Sequence, residues 1–450
     1  MSRARLSWRF HSCQVLVNNA GVMVRGPFLE LPVSRYDEMF AVNVTGTMLC
    51  IRQAAPAMIE RRYATQLRRL LRQFPAVTVL GPRQCGKTTF IRQALSGWTY
   101  LDLERPSDAT PLAADPEARL HQLGDQVIFD EAQRVPEFFP VLRSVIDARR
   151  SRKGRFVLLG SASPSLIRDI SESLAGRTAF LDLAPFRWDE VARRQNPREL
   201  MTLWFRGGFP DAYLERDGRA RWMWLESYTR TFIERDLAAL GIEVSTVQMR
   251  KLWTMLAHCN GGVWNASQLA SSLGVSYHTV NRYVDILEQT FLVRKLPPFS
   301  ANVGKRLVKS PKVYFRDTGL LHYFLGIRDE PTLGVHPARG LSWEAFLTDQ
   351  LISAFQRSAP GSQAFFWRTA QGEEVDLLMD VGGKPVPFEI RLHSAPTPQE
   401  AQGLRRCMQD LGLSRGYLIY PGPRNYSLGG GITALSASGL LGRPQDVLRL

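Results

Sequence analysis

The sequence predicts an α/β protein of several domains built around a phosphate-binding loop, and three short stretches carry that prediction. Residues 77–89, VTVLGPRQCGKTT, run an apolar strand into a glycine-rich turn. Residues 127–131, VIFDE, end a second apolar strand in two carboxylates, and residues 155–163, RFVLLGSAS, end a third in small hydroxyls. Apolar runs of this length bounded by turn residues read as buried strands, and each of these three ends in groups suited to phosphate or magnesium.

Length and charge bound the rest. At 450 residues the chain has room for roughly three domains. No stretch approaches the ~20 unbroken apolar residues of a membrane span, so no membrane partner is expected. The net charge of +15, from 57 basic and 42 acidic residues, favours polyanionic partners. Eleven arginines against four acidic residues in the first 72 positions concentrate that excess. The opening MSRARLSWRFHS has the composition of an organelle presequence without the apolar core of a secretory signal. Five cysteines, Cys13, Cys50, Cys85, Cys259 and Cys407, form no C-x-x-C pair. Neither a zinc site nor a disulfide framework is indicated, and a reducing, cytoplasmic setting is expected.

Taken in order, the chain opens with VLVNNAGVM and YDEMFAVNVTG, which resemble the short-chain dehydrogenases, Asn43 standing at that family's active-site asparagine. The resemblance stops near Arg62. It lacks the glycine-rich turn that would hold a dinucleotide pyrophosphate, and no Tyr-x-x-x-Lys follows Asn43. Residues 1–58 are therefore expected to be a truncated fragment fused upstream, with no hydride chemistry and with poor packing of its own.

The phosphate loop follows. Gly81-x-x-x-x-Gly86-Lys87-Thr88 is the complete Walker A pattern. Gly81, Pro82 and Gly86 belong to the turn that wraps the phosphates, and the helix beginning with Thr88 and Thr89 points its positive end at them. Lys87 is expected on the β- and γ-phosphates and Thr88 on Mg²⁺. Asp130 would hold the same ion, and Glu131 would orient or deprotonate the attacking water. Ser161 and Ser163 could sense the γ-phosphate from between the other two strands. Arg177, in SESLAGRTAF, is a candidate arginine finger that would act across a subunit boundary. The basic run RRSRKGR at 149–155 reads as a solvated loop, with DNA contact as the alternative.

The segments GPRQCGKTTF, YLDLERPSD, VIFDEAQRVPEFFPVLRSVID, LLGSASPSL, SESLAGR, FRGGFPDAY, TFIERDLAAL, SPKVYFRDTGLL and GEEVDLL, in that order, resemble the prokaryotic AAA-type ATPases that join a Walker ATPase to a winged helix and a C-terminal domain of unknown function. The resemblance runs from about Ile59 to the C-terminus. It implies a P-loop AAA-type core at 59–195, a helical lid and winged helix at 196–300, and a C-terminal α/β domain at 301–450. ATP and Mg²⁺ are the implied cofactors.

Within the middle domain, ASQLASSLGVSYHTVNRYVDILEQTFLVRKL has a helix-turn-helix pattern, with Leu269, Leu273, Val275, Val280, Tyr283 and Leu287 at core spacing and Gly274 in the turn. Its second helix would present Tyr277, His278, Asn281 and Arg282 outward, types suited to base edges and phosphates. Such a unit serves equally as a lid or protein-binding module. The basic residues Arg294, Lys295, Lys305, Arg306, Lys309 and Lys312 add weight to nucleic acid.

In the last third, Glu344, Asp376 and Glu389 have the order of a restriction-endonuclease-like site, which in active members binds Mg²⁺. Arg391 stands where those members keep a lysine. Arginine stays protonated and is a poor activator of water, so a degenerate fold kept for binding or assembly is the expectation. The combined reading is an ATP-binding, ATP-hydrolysing switch protein coupled to duplex DNA or a protein partner, with assembly into a homo-oligomer if Arg177 acts between subunits. The alternatives are a DNA-binding regulator with little ATP turnover and a degenerate metal-dependent nuclease.

Overall fold

Ala76–Gly81 (β1), Val127–Asp130 (β3) and Phe156–Ser161 (β4) are apolar along nearly their whole length, as strands covered on both faces must be. With Thr99–Asp102 (β2) and Thr178–Asp182 (β5) they form a parallel sheet of order β2-β3-β4-β1-β5. The computed structural model describes residues 63–161, 164–192, 196–239, 245–299 and 310–449. The chain divides into the units Met1–Ala64 and Thr65–Leu450; the architecture below is that of the second. The dehydrogenase-like segment with Asn43, and also Ser163, Lys305, Arg306 and Lys309, lie outside the described residues.

In the first sheet, Phe129, Phe138, Phe139, Leu142, Phe156 and Leu166 form a fully buried core between the strands and the helices Phe138–Asp147 and Pro164–Ser173. Strand β1 lies between β4 and β5, so its C-terminal end, where the phosphate loop begins, has a neighbouring strand on each side. The basic run 149–155 is not simply solvated. Arg155 is buried, donating from Nε to Asp125 Oδ1 at 2.6 Å and from Nη1 to the Val145 carbonyl at 2.8 Å. Arg152 reaches the other Asp125 oxygen at 2.7 Å.

The middle of the chain is helical and shares one core. Gly218–Thr231 runs directly into a π-helical turn, Phe232–Asp236, a widened winding that is uncommon and concentrates at functional sites. Thr246–His258, Ala266–Leu273 and Tyr277–Gln289 follow. Asn265 and Ser276 cap the last two by accepting from the amides of Gln268 and Thr279. Gly274 closes the first of these two in the left-handed region, φ 67°. The antiparallel strands Val293–Leu296 (β6) and Lys312–Phe315 (β7) come next. Val313 and Phe315, with Leu320 and Leu321 from the helix Thr318–Phe324, enter the same core as Trp253, Val280 and Leu287. This unit therefore continues past residue 300.

The last sheet is mixed: Gln363–Arg368 (β8), Glu374–Val381 (β9), Lys384–Ile390 (β10), Gly416–Tyr420 (β11), Tyr426–Gly429 (β12) and Ile432–Ser436 (β13), in the order β12-β13-β11-β10-β9-β8. Pairs β8/β9, β9/β10 and β12/β13 are antiparallel, and β10/β11 and β11/β13 are parallel. The 20-residue helix Arg339–Ser358 packs against β9 and β10 and is buried from Ser342 to Ile352.

Asp349, on this helix, ties the parts together. Its carboxylate meets Arg187 Nη1 at 2.5 Å, Arg294 Nη2 at 2.6 Å and Arg316 Nε at 3.3 Å. These arginines follow β5, lie in β6 and follow β7. Burial alone would push the Asp349 carboxyl up, but the three guanidiniums outweigh it and hold the acid far below the usual carboxylate range. A second tie is neutral. Trp204 Nε1 donates to Ser342 Oγ at 3.0 Å, Ser342 lies 2.6 Å from His322 Nε2, and His322 Nδ1 lies 2.9 Å from the Phe205 carbonyl. A neutral imidazole with its proton on Nδ1 satisfies every member of that chain. Burial lowers the His322 pKa to about 4.

Two outcomes follow from these ties. Asp349→Asn leaves three guanidiniums around a neutral amide, and urea unfolding is expected to show a loss of about 3–5 kcal/mol; a loss below about 1 kcal/mol would mean the arginines find other partners. His322 has its folded pKa depressed from 6.5 to about 4, so between those values the unfolded chain binds the extra proton. Stability present above pH 6.5 should fall by about 3 kcal/mol as pH drops toward 4, and His322→Gln should flatten that part of the pH profile.

Candidate functional site

The phosphate loop is shaped by residues with positive φ. Gln84 at 59° and Gly86 at 94° turn the backbone twice, a geometry that gathers N–H groups into an anion-binding concavity. Gly81 admits no side chain, because a Cβ there would lie 2.2 Å from the Leu183 carbonyl oxygen. The helix Lys87–Ala94 then begins with no side-chain cap and no acidic residue in its first turn. Its N-terminal donors are left for an external acceptor. Thr89 is exposed in that first turn and Cys85 is buried against the Leu183 carbonyl.

Lys87 is buried, and its Nζ donates to the carbonyls of Gly81 and Pro82 at 3.0 and 2.9 Å. Thr88 Oγ1 donates to Asp130 Oδ2 at 2.6 Å, and the Tyr100 hydroxyl donates to the same oxygen at 2.8 Å. Asp130 Oδ1 accepts from the Glu131 amide at 2.9 Å. Burial, and then the bond to Asp130, push the Tyr100 phenol up, so it remains a donor. Tyr100 is a site residue that sequence reasoning missed. It lies on β2, thirty positions before Asp130, and only the pairing of Asp102 with Asp130 across β2 and β3 brings the two together.

Glu131 stands beside this pair in the left-handed region, φ 52°, a conformation that costs a non-glycine residue on the order of 1 kcal/mol or more. Gln133 Nε2 donates to its carboxylate. Ser161 pairs in register with Gly81 at the same edge of the sheet, and its Oγ is buried without a partner among the described residues. The loop also carries Arg83, whose Nη1 meets Asp236 Oδ1 at 2.9 Å on the π-helical turn. Lys87, Thr88, Asp130, Glu131 and Ser161 are thus gathered at the C-terminal ends of β1, β3 and β4. This donor set fits Mg²⁺ and a triphosphate: free amides, a lysine with exchangeable carbonyl partners, a hydroxyl–carboxylate pair and an orphaned serine hydroxyl.

Arg177 is not gathered there. Its carbonyl accepts from the Ala76 amide at the start of β1, so it sits at the opposite end of the strands. Its guanidinium is bidentate with Asp147, at 2.8 and 2.7 Å.

The other candidate positions sort in a similar way. Tyr277, His278 and Arg282 are exposed, whereas Asn281 accepts from Trp264 Nε1 at 2.7 Å and is not free to face outward. In the last sheet Glu344, Glu374 and Asp376 bring carboxylate oxygens within 4.8 Å of one another. Glu389 instead meets Arg391. Glu374 and Lys312, which joins this cluster, were not singled out there by the sequence pattern. Burial, and then the Glu344 charge, raise the Asp376 carboxyl to about 7.

The AAA domain family matches residues 73–192, so the chain carries an AAA domain. Two families each described as Domain of unknown function, DUF8612 and DUF4143, match 197–331 and 339–440. The short chain dehydrogenase family matches 4–65. Uncharacterized protein Rv2008c of Mycobacterium tuberculosis and Uncharacterized protein Mb2031c of Mycobacterium bovis are each 42% identical over 388 residues, 85% of either chain. Among solved structures, the Walker-type ATPase PABY2304 of Pyrococcus abyssi aligns with TM-score 0.42 and 16% identity, over 59% of this chain and 95% of that one. No helix among the described residues is long and apolar enough to cross a membrane.

Tyr100→Phe removes one of the two hydroxyls on Asp130 Oδ2 and leaves the fold's packing intact. A hydrogen bond to a charged acceptor contributes about 1.5–3 kcal/mol. The Mg²⁺ concentration that half-saturates binding of a fluorescent ATP analogue is therefore expected to shift by about tenfold or more, with no change in Mg²⁺-free binding. An unshifted Mg²⁺ titration would mean that Tyr100 does not act through Asp130.

Proposed function

The chain, which carries an AAA domain followed by two domains of unknown function, belongs to the family of the two mycobacterial proteins, and from that premise we propose that it is an ATP-hydrolysing switch protein. The observation that carries the reading is the meeting of Thr88 and Asp130 at 2.6 Å beside Lys87 and Glu131. A phosphate loop without a following carboxylate pair would bind ATP without needing Glu131, and Glu131 beside Asp130 supports the hydrolytic reading.

In this reading the loop amides and the start of the helix Lys87–Ala94 wrap the phosphates. Lys87 exchanges its two carbonyl partners for β- and γ-phosphate oxygens. Thr88 and Asp130 would hold Mg²⁺, which when bound neutralises phosphate charge and polarises the γ-phosphoryl group. Glu131 orients the attacking water and accepts its proton. Ser161 directs its hydroxyl at the terminal phosphate. Arg177, at the far end of the sheet and held by Asp147, could reach a phosphate only in a neighbouring subunit, so its role as a finger requires a homo-oligomer.

The readout is proposed to pass through Arg83 and Asp236 into the helical middle unit. The three helices and the β6–β7 ribbon are read as a winged helix, and the exposed Tyr277, His278 and Arg282 favour duplex DNA as the partner over protein. A DNA-binding regulator with little turnover is the second reading, supported by the same three side chains.

Mg²⁺-dependent phosphate release by the full chain, with and without duplex DNA, tests both. Lys87→Ala is expected to lower turnover by about a hundredfold or more, and Glu131→Gln to abolish turnover while retaining ATP binding. Turnover unchanged in Lys87→Ala would overturn the ATPase reading. Bound ATP without turnover in the parent chain would favour the regulator.

A further inference from the structure

Four carboxylates and two built-in cations meet where β7, the helix Arg339–Ser358 and the last sheet come together. Glu344 comes from the helix, Glu374 and Asp376 from β9, and Glu389 from the end of β10. The 4.8 Å spread of the Glu344, Glu374 and Asp376 oxygens is one that a divalent ion could span. Whether such an ion fits is decided by what already stands there. Lys312, on β7, puts its Nζ 3.2 Å from Glu344 Oε1 and also bonds Glu374. That side chain is 3% exposed and lies against the rings of Phe366 and Tyr314, 5.6 and 5.9 Å from their centroids.

The remaining oxygens are largely committed as well. Tyr314 donates its hydroxyl to Glu344 Oε1 at 2.6 Å. Asp376 Oδ2 accepts from the Ile390 amide at 2.8 Å and has Arg391 Nη1 at 3.5 Å, while Arg391 Nη2 holds Glu389 Oε1. A divalent ion placed among these oxygens would stand within van der Waals reach of a buried ammonium and would have to break its bonds. The carboxylates as they stand do not fit Mg²⁺.

We propose that Lys312 is the resident cation of this pocket, so that docking of the β6–β7 ribbon and binding of a divalent ion at Glu344, Glu374 and Asp376 exclude one another. The ammonium holds the ribbon of the middle unit to the last sheet by charge, and Arg391, against Asp376 and Glu389, is part of the same arrangement. One cation neutralises the Glu344–Glu374 side and the other the Asp376–Glu389 side.

The test is Mn²⁺ binding by electron paramagnetic resonance, on full-length protein carrying Asp130→Asn so that the nucleotide site contributes nothing, at neutral pH and without nucleotide. With Lys312 present, no Mn²⁺ is expected to bind at this cluster. Lys312→Met should gain one Mn²⁺ per chain, and Asp376→Asn added to it should remove that ion. Two results overturn the proposal: Mn²⁺ bound with Lys312 in place and lost in Asp376→Asn, or no ion gained by a folded Lys312→Met. Should Lys312→Met fail to fold, acetylation of Lys312 in the Asp130→Asn chain, followed by mass spectrometry, decides instead. The amine is expected to be protected from acetylation; an amine that reacts as readily as exposed lysines in the absence of Mn²⁺, or one that stays protected while Mn²⁺ is bound at the cluster, would overturn the proposal.

Discussion

One buried carboxylate holds three arginines that enter from three parts of the chain. Asp349 lies on the helix beneath the last sheet, and Arg187, Arg294 and Arg316 reach it from the end of the AAA sheet and from both sides of the β6–β7 ribbon. Each guanidinium would be costly to bury alone, and so would the acid; together they define the one arrangement in which none is left unpaired. The neutral chain through Trp204, Ser342 and His322 adds a second constraint on the same helix. The AAA sheet, the helical middle and the last sheet are consequently parts of one framework in the described residues, and a movement at the phosphate loop meets that framework through a few polar contacts.

Much of the phosphate site was legible because its residues are contiguous. Walker A supplies strand, turn, lysine and threonine within a dozen positions, and VIFDE supplies both acids at the end of one strand. What the sequence could not display is pairing across strands. Tyr100 reaches Asp130 only because β2 lies beside β3, and Arg83 reaches Asp236 across some 150 positions. Ser161 was legible as the end of a strand, whereas its alignment with Gly81 depends on β4 being the neighbour of β1.

Charge was legible as a total and misleading in detail. The basic run 149–155 reads as a solvated loop, yet Arg155 is buried against Asp125. Asn281 has the composition of a base-reading side chain and is instead committed to Trp264. In the last sheet the pattern of Glu344, Asp376 and Glu389 suggested one constellation, while the fold gathers Glu374 with the first two and turns Glu389 toward Arg391. Lys312 counted only as part of a basic stretch, because its register on β7, which points it at acids thirty and sixty positions away, is a property of the ribbon.

The π-helical turn at Phe232–Asp236 gives the contact with the phosphate loop an unusual character. A π turn holds one residue more than ordinary helical winding would. Drawing that slack out would rotate whatever follows by about 100° around the helix axis, carrying Asp236 off the face that meets Arg83. The contact between Arg83 and Asp236 is therefore set by a single residue: the extra one in the turn decides which face the helix offers to the loop.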